Sequence, residues 1–166
     1  AVNALSAIES IVFEKCAMTL EDLVEAQRGP TLDLTVRELI AQAPKWGQDP
    51  AADQWMSALL DLQGRVLDRL EREGHPRPVV CHVIRSLHHL DGARIGTTLD
   101  GRDAGQPLAD SVGPPGGTNA EGPTALLEHV LRIDAPRSFP GGYNLNLSLP
   151  RVLAEPDTLA GLAGGF

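Results

Sequence analysis

The residues best suited to chemistry in this 166-residue chain gather between His88 and Gly117. His88, His89 and Asp91 offer two imidazoles and a carboxylate, the donor types of a divalent-metal site. Read as the end of a strand, adjacent histidines point to opposite faces. No acidic or cysteine cluster at ligand spacing joins them, so polar histidines at a strand end is the favoured reading. The run Gly113-Pro114-Pro115-Gly116-Gly117 has the glycines of a phosphate loop. It lacks the Gly-Lys-Ser/Thr ending, and its prolines remove amide donors that a phosphate needs. Ser111 and Ser138 have no partner pattern for a nucleophile. Cys16 and Cys81 make neither a disulfide framework nor a metal spacing, and His129 reads as a satisfied residue on a short helix. That leaves Asp100-Gly101-Arg102. Its glycine permits a backbone conformation closed to residues with side chains. Its arginine carries a planar fork of donors that can tie loop carbonyls or a carboxylate together. A structural role for Asp100 and Arg102 outweighs direct substrate contact.

Helices must position most of these groups. Asn3 to Glu14 predicts a helix, with Leu5, Ile8, Val12 and Cys16 recurring at helical spacing. Thr19 with Asp22 three residues on predicts the N-cap of a helix from Leu20 to Gln27, which Gly29-Pro30 ends. A third helix runs from Thr35 to Gln42. The longest spans Ala52 to Glu73, with Trp55, Leu59, Leu62, Val66 and Leu70 as its apolar stripe and Gly74 as its C-terminal cap. Another short helix covers Thr124 to Leu131, and Leu159 to Leu162 hints at a last one. Pro78 to Leu87 is rich in β-branched residues and predicts a buried strand. Tyr143 to Leu149 alternates apolar and polar residues at strand period. The expected class is therefore α/β, one region over 1–166, with a helical part over 1–75 and strands plus a Gly/Pro-rich loop over 76–166. Two or three strands do not make a self-sufficient sheet.

Composition narrows the partners. The net charge of −8 repels phosphate backbones, which argues against nucleic acid. No apolar run approaches the ~20 residues of a membrane span. No signal peptide opens the chain, and the sparse cysteines point to a reducing, cytoplasmic setting. From Gly92 to Pro123 there are few large apolar side chains, so this stretch must lie on something larger.

From Thr98 onward the wording becomes specific. Thr98-Leu99-Asp100-Gly101-Arg102-Asp103-Ala104-Gly105-Gln106-Pro107-Leu108-Ala109-Asp110 closely resembles a signature of glycyl radical enzymes of the pyruvate formate-lyase type. The likeness continues through Gly113-Pro114 and Gly122-Pro123-Thr124-Ala125. Asn3 to Ile8, Thr19 to Leu23, Ala43-Pro44-Lys45-Trp46-Gly47 and Leu159 to Leu162 are similar to further family segments, in the family's order. Leu99, Gln106 and Gly113 depart from the usual Pro, Glu and Ser.

The resemblance implies a portion of a radical barrel with its outer helices, in which Thr98, Asp100, Gly101, Arg102, Gly105 and Pro107 are structural. Gly113, Pro114 and Pro115 would then be the loop that lines the pocket. It also implies what the chain does not carry. The family's radical glycine lies in an Arg-Val-Ser/Ala-Gly-Tyr motif, and its thiyl cysteine in a Gly-Cys or Cys-Cys loop. Cys16 follows Lys15 and Cys81 follows Val80, matching neither setting. The expectation is a segment or truncated homologue, inactive alone and with no cofactor or metal of its own. The complete enzyme would need a glycyl radical installed by an activase using S-adenosylmethionine and an iron–sulfur cluster. A homo-oligomer or a complementary chain is the expected partner. The alternative is a non-catalytic binding or assembly module derived from the same family.

Overall fold

Capping side chains set the helix boundaries. The structure, a computed structural model, describes residues 1–81, 87–114, 122–133 and 135–146. Helix α1 (Val2–Ile8) continues directly into a π-helical turn over Glu9–Glu14, which ends at Cys16 with φ +48°. Helix α2 (Leu20–Ala26) opens with a reciprocal box. Thr19 Oγ1 accepts the Asp22 amide at 3.1 Å, and Asp22 Oδ2 accepts the Thr19 amide at 3.4 Å, so two orphan donors of the first turn are satisfied. Asp33 caps α3 (Leu34–Ala41) by accepting the Val36 amide at 2.9 Å.

Helix α4 (Pro50–Arg72) starts from Asp49, whose carboxylate accepts the Ala51 amide at 2.8 Å, with Pro50 in the first turn. Proline has no amide to orphan there. The helix ends where Gly74 adopts φ +86°. The His75 amide donates to the Leu70 carbonyl at 3.0 Å and the Gly74 amide to Glu71 at 3.1 Å, the paired bonds of a Schellman cap. Three short helices follow: α5 (His88–Gly92), α6 (Pro123–Leu131) and α7 (Ala135–Ser138).

Two apolar clusters hold these elements. One joins Ile11, Leu23, Val36, Ile40 and Leu99, so it locks α2 and α3 against the π turn and the loop after α5. The other joins Trp46, Ala52, Val112, Leu126, Val130 and Phe139, between the start of α4 and α6. The face of α4 turned inward keeps part of the expected stripe, since Trp55 and Leu59 pack on the second cluster, and departs from it elsewhere. Ala52, Gly64 and Leu67 are buried, with Met56 and Leu60 packed on the second cluster, whereas Leu62 and Val66 are 52% and 50% exposed. Glycine at 64 lets the Arg137 side chain lie close to the helix, since an added Cβ would stand 3.4 Å from its Nε.

The expectation of strands is corrected. Among the described residues there is no strand, and Tyr143 makes only an isolated bridge. Of the first expected strand, 78–81 has no regular structure and 82–86 lies outside the described residues. Of the second, 143–146 has no strand and 147–149 lies outside them, as does the expected helix near Leu159. Among the described residues the two segments meet through the Gly141 amide, which donates to the Val80 carbonyl at 2.9 Å. A Cβ at Gly141 would stand 2.9 Å from Cys81 Cβ, so only glycine allows this approach. One bond is not a ladder, and strand-forming residues without laddered neighbours stay irregular. His88 and His89 are likewise not a strand end. They open α5 with ring centroids 4.1 Å apart.

Candidate functional site

The loop after α5 is built around Arg102. Thr98 to Gly101 forms a turn closed by the Gly101 amide on the Thr98 carbonyl at 3.1 Å, and Gly101 takes φ +97°, which a side chain would oppose. Asp100 accepts from the Thr98 hydroxyl and, at 3.3 Å, from the Arg102 amide. The Arg102 guanidinium then spans the loop. Nη1 donates to the carbonyls of Gln106 at 2.7 Å, Asp103 at 3.1 Å and Gly92 at 3.4 Å. Nη2 reaches Ile95 at 3.3 Å and also Gly96, while Nε meets Thr98 Oγ1 at 3.2 Å. A planar donor fork suits this task because its donors radiate in one fixed plane.

The loop is anchored outward as well. Gly105, at φ +81°, donates to the Ile95 carbonyl at 3.3 Å. Pro107 passes so close to Gly92 that a Cβ there would lie 2.9 Å from Pro107 Cα. Arg37 pairs with Asp103 at 2.6 Å, Thr97 Oγ1 donates to Gly29 at 2.7 Å, and the Ala104 amide donates to Pro30 at 3.2 Å. Thr98, Asp100, Gly101, Arg102, Gly105 and Pro107 are thus brought together in one hydrogen-bonded loop seated on α2 and α3. The Gly/Pro-rich stretch rests partly on the chain's own helices.

Gly113 and Pro114 lie outside that hydrogen-bonded loop, next to Val112, which Trp46 contacts. The Trp46 indole donates to the Val112 carbonyl at 2.8 Å, and the Gly113 amide donates to Asp110 at 3.0 Å. Ser111, at φ +50°, donates its hydroxyl to the Asn144 carbonyl, and Asn146 donates to Asp110 at 2.6 Å. Gly113 borders a cleft of about 330 Å³ between α1, α4 and this loop, with Asp100 at its edge. Pro114 is turned toward Gly47, where an added Cβ would stand 3.7 Å from its ring. Pro115 lies outside the described residues.

The Ala43-Pro44-Lys45-Trp46-Gly47 segment is the hub between loop and cleft. Ser6 donates to the Pro44 carbonyl at 3.0 Å, and the Trp46 amide donates to Asn3 Oδ1 at 2.7 Å. Lys45 Nζ donates to the Ala43 carbonyl at 3.0 Å and to that of Ile40, which caps the C-terminal end of α3. Burial lowers the Lys45 pKa, and attraction to Asp100 opposes that shift. Asn3 is 3% exposed, and its Nδ2 is buried with no partner.

A second, smaller cleft of about 90 Å³ had no signal in the sequence. There His129 Nδ1 lies 2.7 and 2.8 Å from the Asp53 carboxylate oxygens, Arg132 donates to Asp53 at 2.7 Å, and the His129 ring meets Trp46 edge-on. Asp53 and His129 are 76 residues apart, so no local spacing could have paired them. Cys16 and Cys81 are both exposed and free, and no metal-binding cluster of His, Cys, Asp or Glu occurs among the described residues. No helix among them is long and apolar enough to cross a membrane.

No protein-family profile matches the chain. Individual proteins do. A probable dehydratase, YbiW, of Escherichia coli K12 is 31% identical over 170 aligned residues, covering 94% of this chain and 20% of that protein. Isethionate sulfite-lyase of Bilophila wadsworthia is 29% identical, over 76% of this chain and 15% of that protein. The glycerol-bound B12-independent glycerol dehydratase of Clostridium butyricum superposes on 98% of this chain and 21% of its own, with a TM-score of 0.80 and 26% identity. The structure solved for 1,2-propanediol dehydration in Roseburia inulinivorans gives a TM-score of 0.78 at 25% identity. The chain spans about one fifth of the length of these proteins.

Proposed function

Because the chain belongs to the glycyl radical enzyme family, we propose that it is a wall segment of such an enzyme and catalytically inert by itself. The observation that carries this reading is the ordered match of 94% of the chain to one fifth of a relative. The loop around Arg102 is framework in this reading. Gly113 and Pro114 belong to the loop that borders the substrate side. Neither Cys16 nor Cys81 stands in the Gly-Cys or Cys-Cys setting of the thiyl cysteine, and no Arg-Val-Ser/Ala-Gly-Tyr motif occurs in the sequence. Both reacting atoms therefore come from other residues of the complete enzyme. So does the dependence on an activase using S-adenosylmethionine and an iron–sulfur cluster, whose radical chemistry the protein must shield from water and oxygen.

The relatives are named as dehydratases and a sulfite-lyase. Those names support a reaction that breaks a carbon–oxygen or carbon–sulfur bond, in preference to the formate-lyase reaction. The setting is cytoplasmic, and the partner is either a complementary polypeptide or a second copy. Stripes at helical spacing support an uncovered surface: Leu20 and Val24 on α2, and Leu62 and Val66 on α4, are about half exposed. A second reading, a binding or assembly module of the same descent, is favoured by how completely the Arg102 loop is seated on the chain's own helices.

Anaerobic purification from the source cells with mass spectrometry tests the choice. We expect these 166 residues within, or bound to, a polypeptide that bears the cysteine loop and the radical-glycine motif. Recovery as a stable monomer free of both would overturn the proposal and leave the assembly module.

A further inference from the structure

The smaller cleft holds a buried side chain that is only half used. His129 is 6% exposed, and its Nδ1 lies 2.7 and 2.8 Å from the two Asp53 carboxylate oxygens. Its other ring nitrogen, Nε2, makes no hydrogen bond among the described residues. The buried side-chain atoms without a partner there are Asn3 Nδ2 and His88 Nδ1. Nε2 therefore keeps contact with solvent, and the cleft of about 90 Å³ is the opening that His129 lines. The carboxylate on Nδ1 also fixes the tautomer. Nδ1–H is donated to Asp53, so the neutral ring presents the Nε2 lone pair to the cleft.

Arg132 supplies a second handle. Its Nη1 donates to Asp53 at 2.7 Å, which leaves the Nε–Nη2 edge of a half-exposed guanidinium without a partner among the described residues. That edge carries two parallel donors, the arrangement that binds a carboxylate bidentately. The other polar groups of the lining are matched. Asp61 accepts from Arg137 at 3.2 Å, so each carboxylate of the cleft faces a guanidinium. The Trp46 indole donates to Val112. The Ser57 and Ser138 hydroxyls turn to donate or accept and favour neither sign of ligand. Met56, Leu60 and Ile133 add apolar wall.

These handles select a ligand class. A carboxylate on the free edge of Arg132 brings one negative charge, whereas a phosphate dianion would bring two toward Asp53 and Asp61. A hydroxyl suits Nε2 in either state of the ring, donating to the neutral imidazole and accepting from the charged one. We propose that the cleft between α4 and α6 binds a short-chain hydroxycarboxylate. Its carboxylate lies on Arg132, its hydroxyl on His129 Nε2 and its carbon stem against Met56 and Ile133. Neither handle belongs to the Arg102 loop or to the cleft beside Asn3, and nothing here depends on the segment reading.

Lactate and propionate differ by that one hydroxyl, and saturation-transfer NMR of each, titrated into the protein in the form that purification recovers, tests the proposal. We expect saturable lactate binding, with propionate roughly five-fold weaker, the value of one hydrogen bond. His129→Asn keeps an amide donor for Asp53 and removes Nε2, so it should erase the preference for lactate. Arg132→Lys, at a half-exposed position where folding is not at stake, keeps the charge but loses the two-donor edge. It should weaken both acids by a similar factor, roughly five-fold. Equal binding of the two acids by the native protein, no saturable lactate binding, a lactate preference that survives His129→Asn, or affinities untouched by Arg132→Lys would each overturn the proposal.

Discussion

The loop around Arg102 and the cleft beside Asn3 share Asp100, yet they are finished to different degrees. On the loop side, one guanidinium ties five carbonyls, and three further contacts reach α3 and the turn after α2. On the cleft side, apolar core residues line open space and a buried amide has no partner. The contrast separates a loop that the chain's own hydrogen bonds complete from a cleft that they leave open. It also predicts which substitutions should be felt without any partner.

The largest effect belongs to Arg102→Ala. Losing a charged donor to several loop carbonyls at once should cost about 3 kcal/mol by chemical denaturation, and Arg102→Lys should recover little because an ammonium lacks the planar fork. Gly92→Ala comes next. The new methyl meets the Gln106–Pro107 backbone, so a loss of roughly 2 kcal/mol is expected. If either change were neutral, the loop would not be framework.

Trp46→Phe probes the boundary between the regions. It strands the buried Val112 carbonyl and should cost about 1–2 kcal/mol, while the tryptophan-free edge of the cleft widens. Lys45 gives the smallest and most selective signal. Its lowered pKa means that the unfolded chain holds the proton more tightly than the folded one. The resulting destabilisation is fully present below the lowered folded value and is relieved as pH rises from there toward 10.5. Stability measured against Lys45→Met should accordingly shift in favour of the native protein across that window. A pH-independent difference would contradict the claim that burial of Lys45 outweighs its attraction to Asp100.

Much of the finished region was legible in the sequence, and little of the open one. Thr19 with Asp22 and the Gly74 stop are local signals, each acting within a few residues, and both helix ends stand where those residues predict. The described parts of the two expected strands, 78–81 and 143–146, are irregular because β-branched composition reports a preference for pleated, half-buried surroundings. It does not report the neighbours needed to form a ladder. The apolar stripe on α4 held at Trp55 and Leu59, which pack on the second cluster, and departed further along the helix. Leu62 and Val66 are apolar but outward, while the buried positions include Gly64, which no hydrophobicity pattern selects. The pairing of Asp53 with His129 and the orphaned Nδ2 of Asn3 depend on contacts between residues distant in sequence, and spacing within one segment carries no trace of them.

Electron paramagnetic resonance of the isolated chain, after anaerobic treatment with an S-adenosylmethionine-dependent activase, tests the central claim most directly. We predict no glycyl radical signal and no turnover of glycerol, 1,2-propanediol or isethionate. A glycyl doublet that broadens when this chain alone is labelled with ¹³C-glycine would contradict the account.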